Sequence, residues 1–124
     1  MAQSPAYLQT KIIELDGPVR NTFIDLSSPA YGLPKSIALY GISGVSKVSA
    51  TSKKCYQEFY DGGSGDPILV FETQDQIFTF VDILMPYSSF MEDDSSIRIV
   101  NGLNVYFQST DATIPYSSFT VFYK

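Results

Sequence analysis

The chain has 124 residues, 44% hydrophobic and 17% charged, with a formal net charge of −5. One domain spanning residues 1–124 is expected, with a core that buries roughly two thirds of the unfolded surface; intrinsic disorder is excluded, and no apolar run approaches the ~20 residues of a membrane span. The eight cations, Lys11, Arg20, Lys35, Lys47, Lys53, Lys54, Arg98 and Lys124, are scattered along an acidic chain, which argues against a nucleic-acid partner.

Residues 1–11, MAQSPAYLQTK, lack the basic start and apolar stretch of a secretory signal, so assembly in a cytoplasm is expected. Turn residues then punctuate the chain about every ten positions, and the runs between them are rich in aromatic and β-branched residues; that spacing predicts an all-β fold, an antiparallel β-sandwich of jelly-roll-like form with about 8–10 strands. The first two strands are expected at 7–15 and 19–26, joined by Asp16-Gly17-Pro18, where Gly accepts positive φ and Pro presets its own. Strands follow at 35–42, 45–51 and 54–60. The glycine-rich turn at 61–66 is expected to be the most mobile loop, and strands at 67–73 and 76–84 come after it.

Residues 73–86 admit a second reading. Ile77, Phe80, Val81, Leu84 and Met85 stand at helical spacing, with Thr73 and Gln76 as a capping box and Pro86 as a stop. The β-branched and aromatic content of 77–81 favours a strand. Further on, 95–100 and 103–108 alternate apolar and polar residues on either side of Asn101-Gly102, which predicts a β-hairpin because both turn residues tolerate the left-handed region. A final strand is expected at 118–123. The segment PYSSF occurs at 86–90 and again at 115–119. Since Pro cannot donate to a ladder and Ser-Ser is turn material, each copy reads as a strand-entry corner with Tyr and Phe on the rim.

Reactive chemistry is sparse. The chain has no histidine and one cysteine. Ser43 and Ser64 therefore lack the usual general base, and a zinc site fails on ligand count. Cys55 reads as a small buried apolar residue, an exposed thiol able to cross-link being the alternative. Two carboxylates would suffice for a glycosidase, yet nothing singles out a pair among the acids, and no enzymatic role is expected. Hard oxygen ligands gather at Glu92, Asp93 and Asp94, ahead of Ser95 and Ser96, and these three acids are the candidate calcium site; a solvated acidic loop is the plainer reading. Residues 91–97, MEDDSSI, resemble the calcium loop of βγ-crystallin modules, although Met91 and Glu92 stand at the two ligand positions and a second site is not evident. Nine tyrosines on a β scaffold could form a contact surface, and the lack of Trp makes sugar stacking the weaker use of it.

In the last thirty residues an I-x-I-x-x-G-L-x-V run appears as Ile97, Ile99, Gly102, Leu103 and Val105, and a V-x-Y-x end as Val121 and Tyr123. With these two motifs the segment resembles the closing segment of small virion proteins of tailed bacteriophages. The resemblance implies a sandwich that decorates capsids or joins head and tail, found in the virion after assembly in the host cytoplasm, usually as an oligomer and without an active site. The expected partners are further copies of the chain in a symmetric oligomer, a viral shell protein, or both. A terminal strand with no tail over it predicts an uncovered edge for subunit packing. The rival reading is a free-standing ligand-binding module, a calcium-binding crystallin-like domain or a lectin; a toxin-like binder of a host protein is a third.

Overall fold

A computed structural model describes residues 9–47, 55–73, 78–81, 96–110 and 116–124. Nine strands run through them: β1 (Gln9–Asp16), β2 (Phe23–Asp25), β3 (Ile37–Lys47), β4 (Cys55–Asp61), β5 (Leu69–Thr73), β6 (Phe78–Val81), β7 (Ile97–Ile99), β8 (Leu103–Ser109) and β9 (Tyr116–Tyr123). There is no helix among the described residues. All pairings are antiparallel, and they nest: β1 with β9, β2 with β8, β3 with β6 and β7, β4 with β5. This is a long antiparallel ribbon, doubled on itself and then rolled so that β9 also joins β3 and β8 also joins β4. Two sheets result, one of five strands in the order β1-β9-β3-β6 with β7 also on β3, and one of four in the order β2-β8-β4-β5. The architecture is a jelly-roll β-sandwich, as the alternation predicts.

β6 and β7 occupy a single strand position. β6 lies against Gly44–Lys47 of β3 and β7 against Ile37–Leu39, both running in the same direction along one edge. Of the segment with two readings, residues 78–81 are strand; the rest of 74–85 lies outside the described residues, as does the first PYSSF copy.

Period-two burial builds the core. Ile13 and Leu15 of β1, Ile37, Leu39 and Ile42 of β3, and Phe119, Val121 and Tyr123 of β9 face Cys55 and Phe59 of β4 and Leu103, Val105 and Phe107 of β8. Phe119 ties the sheets together: its ring meets Phe59 edge-on at 5.2 Å and stacks with Phe107 at 6.2 Å. Cys55 is fully buried, as its apolar reading requires.

Four expectations need correction. The predicted Asn101-Gly102 hairpin is an inter-sheet corner, because β7 pairs with β3 in one sheet and β8 with β2 and β4 in the other. Only Gly102 has positive φ there (88°), whereas a two-residue hairpin turn of this type needs it at both positions. The corner is held from afar instead: Asp61 Oδ1 accepts the amides of Val100 (3.1 Å) and Asn101 (2.7 Å), and Gly102 N–H donates to the Lys35 carbonyl at 3.0 Å.

Second, the strands expected at 35–42 and 45–51 are one strand across Ser43-Gly44. Gly44 serves close approach and not a turn: a Cβ there would collide with the Ser118 carbonyl oxygen and sit 3.0 Å from the Phe119 Cα. Third, the second PYSSF copy is not a corner. Tyr116 to Phe119 form the first half of β9, Ser117 is buried, and Phe119 lies in the core and not on the rim. Fourth, the last strand is not an edge, since β9 lies between β1 and β3; among the described residues β1 and the β6–β7 line bound that sheet. β2 is also shorter than predicted, because Asn21 at φ 56° turns the chain just before it.

Candidate contact surface

Strand register places Phe23, Tyr106, Glu58 and Val70 in one row across all four strands of the smaller sheet. In β8 and β4 the neighbours of these residues, Val105, Phe107 and Phe59, point into the core, so the row points outward. The adjoining row holds Asp25, Asn104 and Tyr60. The rings of Phe23 and Tyr60 meet above β8, 4.8 Å apart and nearly perpendicular, and Phe23 lies 4.9 Å from Tyr106. Asn104 is buried in the strand they cross, with Nδ2 donating to the Gly102 carbonyl at 3.1 Å. Phe23 keeps 36% of its surface exposed and Val70 52%, so the row has exposed apolar side chains at both ends, with Glu58 between Tyr106 and Val70.

The cluster has one polar anchor. Tyr60 Oη donates to Glu58 Oε1 at 2.6 Å. That hydrogen bond, with desolvation and the negative charge of Glu58 behind it, pushes the Tyr60 phenol up to about 12. Tyr60 therefore stays a neutral donor, and Glu58 is held in a fixed place beside the rings.

Shallow hollows lie around this scaffold among the described residues. One of about 330 Å³ lies at the β1–β2 corner, with Glu14, Asp16, Thr22 and Tyr31 in its walls. Another, of about 430 Å³, is lined by Ser36, Tyr40, Ser96, Arg98 and Lys124. There a register shift between Leu39 and Gly41 marks a bulge at Tyr40, whose ring lies 5.1 Å below Lys124 Nζ. The third, of about 280 Å³, is bounded by Tyr56, Gln108, Ser109 and Thr110 beside the aromatic row.

Glu92, Asp93 and Asp94, the candidate calcium ligands, lie outside the described residues. Among the described residues no three metal-ligating side chains come together, and no helix is long and apolar enough to cross a membrane. Sequence reasoning left open which of the tyrosines form a surface. Tyr106 carried the signal, an aromatic residue in the outward phase of Asn104 and Gln108, but its partner Phe23 is brought in only by the β2–β8 pairing. No family model matches the chain, and no curated protein shows significant similarity to it.

Proposed function

We propose that this protein is a non-enzymatic structural subunit, a component of a viral particle of the capsid-decoration or head–tail kind, which works by presenting its sheet faces to neighbouring proteins. One observation carries the reading: the outward row Phe23, Tyr106, Glu58 and Val70 puts rings and an aliphatic side chain where a solvated sheet face would carry mostly charge. Aromatic side chains with a polar tip, grouped on a flat rigid support, are what protein interfaces use as anchors. The near-perpendicular packing of Phe23 against Tyr60 sets the edge of one ring on the face of the other, so the pair offers no broad flat ring platform, which favours a protein partner over a stacked sugar. The viral setting is supported by the closing segment that resembles phage virion proteins and by an architecture used in capsid domains, though lectins share that architecture.

The test is incorporation. In particles produced from the genome that encodes it, the chain should be found by mass spectrometry, and a Phe23→Ala, Tyr106→Ala variant should be depleted at least about tenfold. Absence of the wild-type chain from purified particles would overturn the proposal.

A further inference from the structure

Resting on the assembly reading above, we infer that the outer face of the five-stranded sheet mates with the same face of a second copy of this chain. Its outward positions form rows set by register. Thr10, Phe122 and Gly41 make one; Ile12, Thr120 and Ser43 make the next. Neither row contains an ionisable side chain, and Ile12 is 65% exposed at the middle of edge strand β1. Depletion of charge, with small, β-branched and aromatic residues in its place, marks the centre of an interface and not a face built for water.

Charge also selects the partner. A chain of net charge −5 meets its own copy most easily where carboxylates are absent. The other sheet fails this condition: Asp25 and Glu58 point outward from it, and among the described residues no Lys or Arg occupies its outward strand positions, so two such faces would repel. Among the described residues of the five-stranded sheet the outward charged positions lie at the ends. Arg98 and Lys124 flank Ala38 at one end, while Glu14 and Asp16 lie at the other on β1. A twofold axis that reverses strand direction brings the Lys124 end of one copy over the Glu14–Asp16 end of the other, and does so twice.

The area suffices. With strands about 4.8 Å apart and about 3.4 Å per residue, four strand positions by eight residues cover roughly 500 Å² on each copy. The total of about 1,000 Å² reaches the lower bound for a specific interface and fits a reversible dimer.

Sedimentation velocity of the full chain across a concentration series reads this directly. The wild type should pass from monomer to dimer. Thr120→Lys, and separately Ile12→Lys on the exposed edge, should weaken association at least about tenfold while far-ultraviolet circular dichroism is unchanged; Val70→Lys on the other sheet should leave it intact. Lys124→Glu should weaken the dimer, and adding Asp16→Lys should restore it. A wild type that is monomeric at every concentration overturns the dimer, whereas the subunit role is judged separately by incorporation through Phe23 and Tyr106. Dissociation by Val70→Lys with no effect of Thr120→Lys moves the contact to the other sheet and equally overturns the inference.

Discussion

The two outer faces of the sandwich grow from the same alternation but are finished in opposite ways. On the four-stranded sheet the outward side chains touch one another: Phe23, Tyr60 and Tyr106 form a ring cluster and Glu58 is bonded to Tyr60, so that face contributes to the stability of the fold. On the five-stranded sheet the outward rows around Ile12 and Thr120 carry mostly small and β-branched side chains beside Phe122, and among the described residues they form no ring cluster of that kind. A face knit together by its own side chains and a face with fewer such contacts among the described residues thus share one core, and substitutions should tell them apart.

The largest effect should ignore the distinction. Phe119→Ala removes the ring that touches both Phe59 and Phe107 across the core, and about 3–5 kcal/mol of stability should be lost in urea unfolding, taking both faces down together. A loss below ~1 kcal/mol would mean that the sheets are not tied through this ring. Next, Tyr106→Ala should cost about 1–3 kcal/mol, whereas Thr120→Ala at the equivalent place on the other face should stay within about 0.5 kcal/mol at concentrations where the chain is monomeric. Equal costs would erase the contrast between the faces.

Asp61→Ala should cost about 1–2 kcal/mol, because two backbone amides at the corner lose their acceptor. The smallest effect is electrostatic. With its phenol at about 12 against an ordinary 10.0, Tyr60 contributes stability that is complete below pH 10 and is lost as pH rises toward 12, since the unfolded chain ionises first. Glu58→Gln should bring the phenol down toward its ordinary value and flatten that alkaline loss. A tyrosinate absorbance titration checks the pKa, and unfolding at alkaline pH checks the linkage.

Much of the fold was legible because alternation is a local property. Ile97 and Ile99, or Val105 and Phe107, declare a buried face within a few residues. What escaped was set at long range. Asn101-Gly102 looks the same in sequence whether it closes a hairpin or turns the chain into the other sheet, and the outcome is governed by Asp61, distant along the chain. Gly44 invited a break in the strand, yet its reason is the backbone of β9 passing close by. The Ser-Ser pair of the second PYSSF copy suggested a corner, whereas Ser117 is a small inward residue of a central strand. The contact surface was half legible, since the outward phase of Tyr106 is local but its meeting with Phe23 and Tyr60 is not.

The position of β9 also bears on when the protein can act. This strand is the middle of its sheet, bonded to β1 from Asp16–Tyr116 to Gln9–Tyr123 and to β3 on its other side. Until residue 123 has emerged from the ribosome, β1 lacks the one strand it pairs with among the described residues, and the row centred on Thr120 is not yet assembled. Such non-local closure is slow to form. Any surface centred on Thr120 exists only once β9 has joined β1 to β3, so the contact proposed between copies would have to wait for the strand of the sheet that is made last among the described residues.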